Sequence, residues 1–182
     1  PGRYFSYSNL NYGVLGTILE CISGERFDEF MRRTVFAPLA IDGGYNVAAL
    51  SDAALTQLAT LYRRMQDGIW NSRGVWTPQV DDFRGVRPPA VIRVENPDTG
   101  DRGGVGEAAM PQTAYTPGAN GTIFSPQGGL RISARDLAKV MIVLMNCGRW
   151  HDVQLLQPES VQMMLTEGWR WDPSVPNGDT SQ

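Results

Sequence analysis

The reading turns on residues 1–40, PGRYFSYSNLNYGVLGTILECISGERFDEFMRRTVFAPLA. Val14, Leu15, Ile18, Leu19 and Ile22 recur at helical spacing, which predicts a helix over 10–23. Gly24 follows as its stop. Gly13 and Gly16 lie on nearly one face of that helix. Each weakens it by roughly 1 kcal/mol relative to alanine, so the pair signals another backbone packed closely there. A second short helix follows, with Phe27, Phe30, Met31 and Val35 as its inward stripe. It stops before Ala37-Pro38, because the residue ahead of a proline is pushed out of helical geometry. Tyr7 and Asn9 stand in the turn that leads into the first helix.

Outward from this block the pattern loosens. Leu55, Leu58, Leu61, Tyr62 and Met65 predict a third helix over 51–66, with Ser51 or Asp52 as its cap. Residues 66–129 hold 11 glycines and 7 prolines, which predicts turns and irregular chain with short strands such as Ala90–Val94 at best. Within it, Asn96-Pro97-Asp98-Thr99-Gly100-Asp101 reads as a hairpin tip, its acidic positions being out of order for a calcium loop. A helix over 133–146 opens on Ser133-Ala134-Arg135-Asp136, a capping-box start. From Leu137 to Met145 every position but Lys139 is apolar, so this helix is expected to be buried on nearly all sides and to need neighbours that this chain scarcely offers. A last helix begins near Pro158, with Val161, Met164 and Leu165 inward. Residues 172–182 are expected to fray. The fold class expected is mainly α with a long irregular, partly β middle, in one domain spanning 1–182.

Composition narrows the function classes. The chain has 182 residues and a net charge of −3, which gives no electrostatic reason to expect a nucleic-acid partner. No apolar run is long enough to cross a bilayer. One histidine, His151, and two distant cysteines, Cys21 and Cys147, make no zinc site of the usual kind, and no cofactor is implied. Two buried free thiols are the reading preferred for the cysteines, with a long-range disulfide left open. His151, after Gly148, reads as a solvated loop residue rather than a general base.

The ordered blocks resemble a known family. Pro1-Gly2, Tyr7-Ser8-Asn9, Tyr12-Gly13, Ser23-Gly24, Phe27, Phe30 and Phe36-x-Pro38-Leu39 are similar to the serine β-lactamase-like family, which includes cephalosporinase-type β-lactamases, D-alanyl-D-alanine peptidases and related esterases. Gly128-Gly129-Leu130-x-x-Ser133-Ala134-x-Asp136-Leu137-Ala138 and Leu155-Leu156-x-Pro158-Glu159-Ser160-Val161 resemble later blocks of the same family. The resemblance is dense over 1–39 and 125–165 and thin between them. Taken alone, Tyr7 and Asn9 read as a packed ring and a helix cap. The resemblance instead implies that Tyr7 is the catalytic tyrosine and Asn9 the active-site asparagine, within the mostly helical portion of the β-lactamase/transpeptidase-like α+β fold. A serine hydroxyl needs a base to become nucleophilic. A phenol can serve if cations favour its ionised form. An asparagine amide both donates and accepts, so it can hold a lysine and a substrate amide together.

Departures from the family bear on activity. No serine is followed by a lysine three residues later, since Lys139 is the sole lysine, and there is no Lys-Thr-Gly or His-x-Gly triplet. The expectation is therefore a piece of a larger serine hydrolase, inactive by itself, whose nucleophile and strand motif lie outside these residues. It would act through an acyl-enzyme on a small-molecule or peptide substrate: a β-lactam, a D-amino-acid peptide or a short ester. The alternative is a non-catalytic homologue serving as a binding or regulatory domain. The resemblance implies a periplasmic or secreted location. Bare apolar faces would make such a piece self-associate or hold a partner segment.

Overall fold

The computed structural model describes residues 4–93 and 109–178. Pro1–Arg3 and the expected hairpin tip at 96–101 lie outside the described residues. Helix α1 (Leu10–Ser23) ends on Gly24, whose left-handed backbone (φ 71°) returns its N–H to Glu20 O. Helix α2 (Phe27–Met31) runs into a wider π-type turn over Arg32–Phe36 and stops before Pro38, as the proline requires.

The expected helix over 51–66 is corrected. Helix α3 spans Asp52–Thr56 with Ser51 Oγ accepting from Ala54 N, but Leu61–Gln66 is strand β1. It pairs antiparallel with β2 (Ile69–Trp70) and β3 (Val75–Val80) in a three-stranded ribbon of order β2-β1-β3. The reason lies in Asp67-Gly68, both with positive φ (52° and 77°), joining Gln66 to its partner Ile69. Two central residues with positive φ make the tight turn whose twist matches a hairpin, and an Asp-Gly pair takes it readily. Strand β4 (Val91–Arg93) falls within the short strand expected at 90–94 and pairs with β5 (Ala109–Pro111). The middle is thus more β than the Gly/Pro content suggested.

Helix α4 (Ala134–Met145) is capped as expected, Ser133 Oγ accepting from Asp136 N. Its burial is corrected: Val143 is buried, while Leu137, Met141 and Met145 are exposed, so this chain covers one flank alone. A small hairpin, β6 (Arg149–Trp150) and β7 (Val153–Gln154), follows, then α5 (Pro158–Leu165) with proline in its first turn. Val161 packs inward, but Met164 and Leu165, in the last turn of the helix, are exposed, which corrects the inward stripe expected there. The described part of the C-terminal segment contacts the chain's start. Phe5 N donates to Asn177 O, Phe5 bridges Gly178, and the Phe5 and Trp169 rings stack 4.9 Å apart.

Apolar packing is divided among three clusters. Phe27, Ile92, Tyr115 and Phe124 form one. Phe36, Leu39, Ile41 and Val143 tie α4 to the segment after α2. Val47, Leu50 and Leu55 hold α3. The result is an α+β arrangement of five helices and three small sheets among the described residues.

Candidate functional site

Tyr7 and Asn9 sit at the mouth of α1, and both are exposed, Tyr7 at 49%. Asn9 makes no side-chain cap bond to the helix, so the capping role that its position suggested is not taken. Its amide is left facing solvent, where it can donate and accept.

Three features fix the chain that presents these side chains. The Phe5–Trp169 stack and the Phe5–Asn177 bond clamp the approach two residues before Tyr7. Beneath the helix, the small residues meet the 3-10 turn Gly121–Phe124. A methyl on Gly13 would stand 2.6 Å from Thr122 Oγ1, and one on Gly16 would stand 2.9 Å from Pro126 Cγ. A methyl on Gly121 would strike the backbone of Thr17 and Gly16. Thr17 Oγ1 then accepts from Gly121 N at 2.9 Å while donating to Gly13 O. The close backbone contact that the glycine pair predicted is here.

The third feature was not anticipated. Glu20, on the glycine face, is completely buried. Its carboxylate accepts from Phe27 N at 2.8 Å, Gly118 N at 2.9 Å and the Tyr115 hydroxyl at 2.6 Å. It binds α1, the start of α2 and the 115–118 turn with one side chain, and each bond to a charged acceptor is stronger than a neutral one. Burial first, and then the hydrogen bond to Glu20, push the Tyr115 phenol up to about 12. The signal was legible: Gly13, Gly16 and Glu20 share one helical face, and a carboxylate on a close-packed face must be hydrogen-bonded. A second polar knot lies nearby. Arg26 grips Asp28 through two bonds, and Asn46 Nδ2 donates to both Asp28 and Gln112.

Lys139 Nζ pairs with Asp136 at 2.7 Å and donates to Ala40 O. Its hydrogen bond is the first cause holding the Asp136 carboxyl below the usual range. His151 is exposed in the β6–β7 turn, its ring edge-on to Trp150 at 4.5 Å. Cys21 and Cys147 are free as expected but exposed rather than buried; Cys21 lies in the last turn of α1 with its Sγ 3.9 Å from Gly118 O, and Cys147 in a left-handed turn after α4 (φ 51°). A cavity of about 850 Å³ is lined by Asn46, Gln112, Tyr115, Thr122 and Arg131 among others, and neither Tyr7 nor Asn9 lines it. Among the described residues no three His, Cys, Asp or Glu side chains could hold a metal ion. No described helix is long and apolar enough to cross a membrane.

The family model described as Beta-lactamase matches residues 1–180. A protein of Escherichia coli (strain K12) named "Putative D-alanyl-D-alanine carboxypeptidase" is 24% identical over 179 residues, covering 93% of this chain and 35% of that protein. Its counterpart of the same name in Escherichia coli O157:H7 matches with the same identity and coverage. The chain therefore spans about a third of the length of these curated relatives.

Proposed function

Because this chain belongs to the Beta-lactamase family, we propose that it is the Tyr-x-Asn-bearing, mostly helical part of a serine hydrolase that works through an acyl-enzyme. In this reading 1–182 is one partial domain, and the Ser-x-x-Lys nucleophile and the Lys-Thr-Gly or His-x-Gly strand come from outside these residues. Tyr7 relays the proton of that serine, first toward the leaving group and then from the incoming water. Asn9 holds the lysine and the substrate amide. The observation that carries the reading is Tyr7-x-Asn9 presented, with both side chains exposed, at the mouth of a helix locked from below by Gly13, Gly16 and Glu20. Among β-lactams, D-amino-acid peptides and short esters, the relatives' name favours D-amino-acid peptides.

The test is made on the full reading frame that contains this chain. Labelling by a fluorescent penicillin reports acylation, and D-alanine release from a D-alanyl-D-alanine peptide is read beside hydrolysis of a p-nitrophenyl ester. Tyr7→Phe should lower acylation on the order of 10²- to 10⁴-fold, as expected for loss of general-base assistance. The 182-residue chain alone should hydrolyse none of the three above background. An upstream segment without Ser-x-x-Lys, together with no labelling, would favour the non-catalytic homologue. Turnover by the isolated chain, abolished by changing one of its own serines, would overturn the assignment.

A further inference from the structure

The ribbon β1–β2–β3 is unlike the rest of the molecule. Its base is mounted firmly: Thr60 Oγ1 donates to Asp81 O, and Asp81 is gripped by Arg131 through two bonds of 2.9 Å. Beyond that base, its large apolar side chains stand in solvent: Tyr62 55%, Ile69 72%, Trp70 62%, Val75 74% and Trp76 63% exposed.

Register shows that these side chains occupy both faces. Met65 pairs with Trp70 and Val75, which puts that row on one side. Arg64 pairs with Trp76, and Gln66 with Ile69, so those lie on the other side with Tyr62. Each face thus carries one tryptophan and one arginine, Arg63 with Trp70 and Arg64 with Trp76. The Arg64 guanidinium stacks over the Trp76 ring at 4.9 Å. Charge is inverted as well. In a chain of net charge −3, residues 61–80 carry Arg63, Arg64 and Arg73 against Asp67 alone. All three arginines are exposed, and none is ion-paired with a described residue.

We propose that this ribbon is a wedge that docks the protein on an anionic lipid surface. A protein partner or a stacked sugar chain would cover one face and leave the opposite tryptophan in water. A lipid interface surrounds both faces of an inserted edge. Indole and phenol rings settle at the depth of the headgroups, and arginines beside them pair with lipid phosphates. The attachment is peripheral and salt-sensitive, because its charge part acts within about 8–10 Å at ordinary ionic strength.

The full reading frame that contains this chain is mixed with vesicles of phosphatidylcholine, with or without phosphatidylglycerol, and sedimented beside a vesicle-free control. Binding is expected to the phosphatidylglycerol vesicles and to weaken with added salt. Arg63→Ser with Arg64→Ser should cut partition on the order of tenfold or more. Trp70→Ala and Trp76→Ala should each weaken it. Met163→Ser, which removes an exposed apolar side chain on α5, should leave it unchanged. All five substituted positions are exposed, and circular dichroism of each variant checks that the fold is kept. Equal binding to neutral vesicles, no response to the ribbon substitutions, or retention by soluble heparin without vesicle binding would each overturn the proposal.

Discussion

The helix that presents Tyr7 is held by residues chosen for what they lack. At Gly16, alanine would gain roughly 1 kcal/mol of helix propensity but meet the Pro126 ring at 2.9 Å. At Gly13 the clash is with Thr122 Oγ1, the end of a side chain that can rotate. At Gly121 the obstacle is the Thr17 and Gly16 backbone, which cannot yield. Urea unfolding should therefore rank the alanine variants: Gly121→Ala worst, by about 2–3 kcal/mol, then Gly16→Ala, then Gly13→Ala near neutral. Equal midpoints for all three would mean that the contact is loose. Glu20 and Tyr115 supply the polar half of the same lock. Tyr115→Phe removes one of the two donors to Glu20 Oε2, which keeps Gly118 N, and removes the acceptor of Asn120 N; it should cost about 1–3 kcal/mol at neutral pH. The phenol's pKa is raised in the folded chain, from 10 to about 12. Its contribution is thus fully present below pH 10 and is lost as pH rises from 10 through 12. The stability gap between wild type and Tyr115→Phe should hold constant up to about pH 10 and close above it. A gap that stayed open at pH 12 would remove the link to this hydroxyl.

Elements were legible where helical period and end signals agreed, as in α1 with Gly24 and in α4 with Ser133. The residues of 51–66 show the limit. Leu55, Leu58, Leu61, Tyr62 and Met65 do fall at helical spacing, yet the last three belong to β1. Strand pairing with Val75–Val80 overrides that spacing, and the cue for it, Asp67-Gly68, stood just beyond the window. On α1, apolar content does not mark the buried face. Leu15, Ile18 and Ile22 are apolar and face solvent, whereas the buried face of α1 is Gly13, Gly16 and Glu20, which no count of hydrophobic residues selects. Two substitutions test these element ends. Ser133→Ala removes the acceptor for Asp136 N and should lower stability by about 1 kcal/mol. Gly68→Val puts a branched side chain at φ 77°, a left-handed backbone that costs roughly 1–2 kcal/mol for such a residue. The ribbon should open at the β1–β2 turn, seen as faster amide exchange at Gln66 and Ile69, while α1 exchange stays unchanged.

At the scale of the whole molecule, buried side chains are few and bare apolar ones many. Leu15 at 59% and Ile22 at 82% exposure line one side of α1, and Leu137, Met141 and Met145 one side of α4. Helices amphipathic in this way are stable when a second layer covers them. Monomeric proteins rarely expose contiguous apolar patches beyond a few hundred Å². The chain spans 35% of its curated relatives' length; in the proposed reading Tyr7 and Asn9, legible as motif residues, work with groups that this sequence does not carry. Lys139, the one lysine, pairs with Asp136. The isolated 182 residues should consequently self-associate or capture a covering segment. Sedimentation velocity across a concentration series should show dimers or larger species, and an apolar dye should brighten on binding. Leu15→Ser with Ile22→Ser should shift the population toward monomer. Stability within one chain should change by less than about 0.5 kcal/mol for each, since exposed positions contribute little to the fold. A chain that stays monomeric at high concentration and binds no dye would show these faces to be tolerated as they stand, and the case for a missing covering layer would fall with that result.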